Sequence, residues 1–343
     1  GLAPHRLPGV LDLTASLTRG KAPEVHRYLP NTLPASVRDY VREAVQAGTL
    51  AKTSVRLKGD LTQMPFADPK QGEFRVATQI SNGQFAYAPP PAKATAASSW
   101  PALTDLSGDL VFERSGLSFK GATRLDGAPN VAWQKVEVQV ADLAHVRAKV
   151  SGQAKGPLEE IMQLVSKSAI NGLMDNALDK AQANGMAEYT LSLDVPLAEL
   201  THTKVEGSVN LLGNDLQAIA GTPVLSKATG MLDFSERGFG LRNVKGRMLG
   251  GEVQLQGGLR FGQRDGDSPI QLRIKGNLTA EGLRQAKELG FVSRLATRAN
   301  GRADYEAVLG LRRNQTELLI TSDLKGMALN LPAPLNTASY THL

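Results

Sequence analysis

Most of this chain alternates apolar and polar residues with a period of two. The clearest run is Tyr189, Leu191, Leu193 and Val195, with Thr190, Ser192 and Asp194 between them. Successive side chains on a strand point to opposite faces, so the pattern predicts a sheet with one apolar and one polar face. The same alternation recurs in Phe74-Val76-Thr78-Ile80, Val136-Val138-Val140, Val146-Ala148-Val150 and Val205-Gly207-Val209-Leu211. It returns in Val253-Leu255, Ile270-Leu272-Ile274, Tyr305-Ala307-Leu309-Leu311 and Leu318-Ile320. Short turn signals separate the runs, among them Ser81-Asn82-Gly83, Asp126-Gly127 and Asp265-Gly266-Asp267. This is the grammar of an antiparallel meander, unlike the βαβ alternation of a doubly wound enzyme.

Three segments switch to a helical period. Val37, Tyr40, Val41, Ala44 and Val45 form one stripe over about 34–47, and Gly48 is placed to end it. Pro157 suits a first helical position. The stripe that follows it, from Leu158 through Ile161, Met162, Val165, Ile170, Leu173 and Leu178 to Ala181, predicts a long helix over about 157–184. Thr279 caps a third segment over about 280–298, which turns Leu283, Ala286, Phe291, Leu295 and Ala296 inward and breaks near Gly290. Packing against the sheet accounts for each stripe; contact with a membrane calls for stronger aromatic and basic flanks. The residues from Pro89 to Ser99 are rich in Pro, Ala and Ser and read as a surface loop, as do Gln263–Ser268.

The chain also repeats itself. Trp100–Gly116 returns as Thr222–Gly238 at a constant offset of 122 residues. The copies share Pro101/Pro223, Leu103/Leu225, Gly108/Gly230, Leu110/Leu232, Phe112/Phe234 and Gly116/Gly238. Each copy reads as a strand, a tight turn and a second short strand. The repeat divides the chain into a groove segment 1–99, a unit 100–221 holding the long helix, and a unit 222–343 holding the last helical segment. Repeated one-sided units stack into an elongated array. The apolar face of such an array must be covered by helices, by closure or by a ligand.

Composition narrows the chemistry. The 343 residues carry 39 basic and 33 acidic side chains, a net charge of +6, in short runs such as Arg312-Arg313 that read as a solvated face. Aromatics are 5% and alternate into the apolar face, which argues against base stacking and nucleic acid. Cysteine is absent, removing disulfides, thiolate metal sites and Cys nucleophiles together. No apolar run approaches the roughly 18 residues of a membrane span. The chain opens at Gly1 in mid-pattern and reads as a piece of a longer protein. No nucleophile elbow, phosphate loop, dinucleotide fingerprint or paired-histidine metal motif is present, and the five histidines lie far apart. Asp105, Asp109 and Glu113 of one repeat become Lys227, Met231 and Ser235 in the other. The repeat keeps hydrophobes and glycines and drops charges, the reverse of a duplicated catalytic site. The reading is therefore non-enzymatic, with no cofactor and no metal.

Tyr28-Leu29-Pro30, Tyr40–Gly48, Val55–Asp60 and Met64-Pro65-Phe66 form an ordered series. The Trp100-Pro101 repeat, Asp323–Gly326 and Leu331–Leu335 continue it. Together they resemble the central region of the YhdP family, within the AsmA-like superfamily, over nearly the whole chain. Met64 stands where a second Phe is expected, and Thr222 replaces the repeat's Trp. The resemblance implies a mostly β fold with a few helices: an elongated, twisted antiparallel sheet forming an open hydrophobic groove, similar to TamB and to bridge-like lipid transfer proteins. It implies phospholipid acyl chains as partners and conduction between inner and outer membranes, each reached through parts of the protein outside this chain. It also implies a periplasmic location, with an inner-membrane anchor elsewhere in the full-length protein. The expected groove lining is Val76, Ile80, Leu110, Phe112, Phe119, Val138, Leu191, Leu193, Val209, Phe234, Leu241, Leu255, Leu272, Ile274, Leu309 and Ile320; ordinary core beneath helices is the other reading of each. A periplasmic scaffold or chaperone for outer-membrane assembly, pairing its sheet edge with client strands, is the alternative function. An enzyme acting on envelope lipid or glycan would need a clustered polar site.

Overall fold

The computed structural model describes residues 9–30, 33–89, 100–143, 147–168, 181–196, 202–217, 221–260, 270–312 and 315–330. The chain divides into two compact units. The first is built mainly from residues up to Ala154 together with Thr190–Val205, and the second mainly from Lys155–Ser166, the stretch ending at Tyr189, and Glu206 onward.

The first unit holds β1 (Val10–Lys21), α1 (Ala35–Ala44), β2 (Val45–Asp60), β3 (Gly72–Phe85), β4 (Leu103–Glu113), β5 (Gly116–Leu125), β6 (Ala128–Val140) and most of β7 (Arg147–Pro157). From β1 to β6 each strand pairs antiparallel with the next, through Leu13↔Leu57, Leu57↔Phe74, Val76↔Phe112, Phe112↔Leu117 and Leu117↔Val140. The second unit holds α2 (Leu158–Ser166), β8 (Gln182–Asn184), the first half of β9 (Met186–Pro196), β10 (Lys204–Gln217), β11 (Leu225–Ser235), β12 (Gly238–Met248) and β13 (Gly251–Arg260). It continues with β14 (Ile270–Thr279), α3 (Ala280–Gln285), α4 (Phe291–Leu295), β15 (Ala299–Arg312), β16 (Gln315–Thr321) and β17 (Met327–Leu329). Here too each long strand from β10 to β16 pairs antiparallel with its successor. Among the described residues no register joins the first strand of either unit to its last, so the sheets are open. The fold is mostly β with few helices, as the alternation predicts.

The repeat appears as two equivalent hairpins. Leu110 faces Phe119 and Phe112 faces Leu117 in β4–β5; Leu232 faces Leu241 and Phe234 faces Phe239 in β11–β12. The glycine the copies share has a backbone reason. Gly108 and Gly230 lie at φ +154° and +116°. A methyl group there would sit 2.2 Å from the Lys120 carbonyl oxygen or 2.5 Å from that of Asn243, so only glycine fits.

One turn signal belongs to a different device. Ser81-Asn82-Gly83 lies inside β3, with Asn82 at φ +50°, where the register against β4 shifts between Ile80 and Gly83. It is a β-bulge, not a hairpin turn. Lys52, Asp105 and Lys135 take the same left-handed conformation at register shifts in β2, β4 and β6, and Lys227 and Asn243 do so in β11 and β12. A bulge bends and over-twists its strand. Bulges in neighbouring strands therefore curve each unit's sheet. Asp126-Gly127 is a true turn; Asp265-Gly266-Asp267 and Val146 lie outside the described residues.

The helical segments depart from the periodic stripes at their ends. α1 stops at Ala44, and the stripe's last residues belong to β2, because Val45 pairs with Phe85 and the Ala44 carbonyl accepts from Ala86 N at 2.8 Å. Gly48 is thus a strand residue at φ +131°, where the missing side chain admits Gly83. Val37 and Tyr40 remain 41% and 40% exposed. In the second stripe, Leu158–Ser166 is helical, residues 169–180 lie outside the described set, and Gln182–Asn184 is strand, paired with β10. In the third, the Thr279 hydroxyl accepts from Gly282 N as expected, and Leu283, Ala286 and Ala296 are buried. Phe291 is a correction. Gly290, at φ +55°, re-aims the chain, and Phe291 points to solvent with 66% exposure.

The Met64-Pro65-Phe66 segment proves structural. Phe66 is fully buried and lies over the paired glycines Gly59 and Gly72, whose missing side chains would meet its ring at 2.8 and 2.6 Å. Removing a buried Phe side chain leaves a cavity. We expect Phe66→Ala to cost about 3–5 kcal/mol of unfolding free energy, measured by urea titration.

Candidate functional site

Antiparallel residues directly opposite one another project to the same side of a sheet. In the first unit Val76 faces Phe112, and Phe119 faces both Leu110 and Val138, so these three form one row. Ile80 is two residues from Thr78, which faces Leu110. Six of the expected lining residues therefore share one face. Leu13, Val55, Leu57, Leu117 and Val140 extend that face by the same registers. They were not among the expected lining residues; the β1 run Leu11-Leu13-Ala15-Leu17, alternating with Asp12, Thr14 and Ser16, went unread. Leu191 and Leu193 lie on the side of β9 opposite Asp194, whose carboxylate accepts from Arg147 Nε at 2.5 Å and Nη2 at 2.8 Å.

In the second unit one row runs Val209, Leu232, Leu241, Gly257, Leu272, Leu309. A neighbouring row runs Leu255, Ile274, Ala307, Ile320. Phe234 is two residues from Leu232 and on the same side. All eight lining residues expected in this unit thus share a face. Phe119 and Leu255 are buried, at 6% and 9% exposure. Ile320 is exposed and the others are half-buried. A side chain half-buried in an open sheet is sheltered by its neighbours and still reached from one direction.

The hydroxyls on this side of the first unit satisfy one another or the backbone. Thr53 Oγ1 and Thr78 Oγ1 are 2.7 Å apart, and Thr123 Oγ1 donates to the Thr104 carbonyl at 2.9 Å. In the second unit burial pushes the Tyr305 phenol up to about 12, so it stays neutral.

The opposite side carries cross-strand ion pairs. In the first unit Arg56 holds Asp12 and, at 3.3 Å, Glu73; Lys120 holds Glu137 at 3.1 Å. In the second, Arg242 holds Asp233, Lys155 holds Glu188 at 3.2 Å, and Lys275 holds Glu306 at 2.7 Å. Hydrogen bonds from Arg56, Asn210, Arg147 and Lys275 hold the carboxyls of Asp12, Glu188, Asp194 and Glu306 below the usual carboxylate range. Among the described residues no three His, Cys, Asp or Glu side chains form a metal-binding group, and no helix is long and apolar enough to cross a membrane.

A curved, open antiparallel sheet, apolar on one side and laddered with charge on the other, defines a β-groove protein. The family model described as "YhdP protein" matches residues 2–342, and the chain belongs to that family. It is 22% identical over 334 residues to the Escherichia coli (strain K12) "Intermembrane phospholipid transporter YhdP". That alignment covers 95% of this chain and 25% of the relative, so the chain spans a quarter of that protein's length. No solved structure matches.

The charge ladders set a pH response. A carboxyl whose pKa is lower folded than unfolded stabilises the fold above its unfolded pKa, and that contribution fades as pH falls through the folded value. The melting temperature should therefore hold from neutral pH to about 5 and drop as pH falls below the ordinary carboxylate range near 4. Thermal melts followed by circular dichroism across pH 7 to 3 would show this.

Proposed function

We propose that this chain is a section of an intermembrane phospholipid transporter, in which acyl chains lie against the apolar face and slide along it. The observation that carries the reading is the row structure: six of the expected lining residues share one face in the first unit and all eight do in the second, and charged pairs occupy the other side. The name of the E. coli relative supports it.

The energetics fit. Each buried CH₂ is worth about 0.8 kcal/mol, so two acyl chains hold a lipid against the face while the head group stays in water. The strands of 10 to 16 residues that form the rows extend about 33–53 Å at roughly 3.3 Å per residue. The acyl half of a bilayer core is about 15 Å. Rows of Leu, Val, Ile and Phe offer no single strong minimum, so a lipid can move from one row to the next. No bond is made or broken, and no residue is catalytic. The section works in the periplasm, and the inner-membrane anchor belongs to another part of the transporter. Residues 1–99, 100–221 and 222–343 act as successive stretches of the groove.

The test is mass spectrometry of lipid extracted from the gently purified chain, against a lipid-free control protein. At least one phospholipid per chain is expected, and more than one favours a conduit over a pocket. A lipid-free, monomeric chain overturns the reading, and a co-purified unfolded polypeptide favours a strand-pairing scaffold. Leu193→Asp places a charge on the half-buried face. It should reduce bound lipid about tenfold, because a carboxylate is costly to desolvate, while shifting the melting temperature little. Unfolding instead would assign Leu193 to the core.

A further inference from the structure

The helical turns of the second unit carry an apolar tip that stands in solvent. Gly290 sits at φ +55° with no atom within 4 Å of its absent side chain, so the chain stands clear there. Phe291 and Val292, the next two residues, are 66% and 46% exposed. The turns beneath are fixed. Arg284 Nη1 donates to the Ala299 carbonyl at 3.1 Å, Ser293 Oγ to the Arg284 carbonyl at 3.0 Å, and Leu283, Ala286 and Ala296 are buried. The tip is held out by a packed base; it is not a frayed end.

Charge surrounds it on one pattern. Lys287, Arg294 and Arg298 are exposed and form no ion pair among the described residues. Glu281 is engaged by Arg284 at 2.6 Å and by Gln285 at 2.8 Å. That leaves Glu288 as the exposed carboxylate within the 287–298 stretch. Exposed apolar side chains flanked by unpaired cations match a bilayer surface, with hydrocarbon at shallow depth and anionic phosphates above it. An acidic protein surface would answer the cations but not the protruding Phe.

We infer that residues 287–298 are a docking surface for an anionic phospholipid bilayer, separate from the groove face. This goes beyond lipid conduction: the groove takes single lipid molecules, whereas this tip takes a membrane surface.

The chain has no cysteine, so V292C can carry a single environment-sensitive fluorophore. On vesicles of phosphatidylcholine with about one-third phosphatidylglycerol, the emission should shift to the blue. The shift should be absent on pure phosphatidylcholine, reversed by high salt, and reduced several-fold in K287Q/R294Q. A label at Q254C, on the charged side of β13, should not respond. T297C supplies a second reporter on the neighbouring turn should V292C fold poorly. No shift at either tip site, an equal shift at Q254C, or an equal shift on neutral vesicles overturns the inference. The lipid count of the purified chain is unaffected by any of these results, so the two readings fail separately.

Discussion

An apolar face on an open sheet cannot be left flat in water. Everything else in this chain answers that constraint. A sandwich would cover the face with a second sheet and a barrel would close it. Here neither happens among the described residues, and the helices sit beside the strands as short pieces. What remains is curvature, and the bulges supply it. Residues at φ near +50° recur at Lys52, Asn82, Asp105 and Lys135 in β2, β3, β4 and β6, and again at Lys227 and Asn243 in β11 and β12. Each breaks the ladder by an extra residue and turns its strand.

The two faces do different work. Ion pairs such as Lys120–Glu137 and Lys275–Glu306 bridge neighbouring strands on the wet side. They are exposed, so each adds little to stability. Their value is in register: a slip by one residue would carry the charges to the apolar side and the hydrophobes to water. The apolar side needs no such specificity. Interchangeable aliphatic side chains form it, which suits the lipid cover proposed above. Glycines shape it locally, as where Phe66 fills the space over Gly59 and Gly72.

The alternation predicted the strands and which of the fourteen candidate residues in β3–β6 and β10–β16 share a side of the sheet, because period two is a local property of the backbone. The repeated Leu-x-Phe strands were legible as hairpins for the same reason. Errors came where two local signals competed. The stripe over 34–47 is helical in period, yet Val45 joined β2 because pairing with Phe85 outweighed one more helical turn. Asn82-Gly83 has the composition of a hairpin turn but lies in a strand with partners on both sides. Phe291 fits an inward helical stripe until Gly290 changes the axis.

By itself the sequence determined which residues alternate, and hence which could share a face. Tertiary structure alone decided which of those faces line up. Cross-strand registers fix that, between residues as distant as Leu57 and Phe74 or Leu272 and Leu309, and bulges reset the register partway along a strand. It also decided which apolar residues are buried, as Phe119 is over Gly121, and which stand in water, as Phe291 does. Alternation is set by neighbours in the chain; register, curvature and burial are set by neighbours in space.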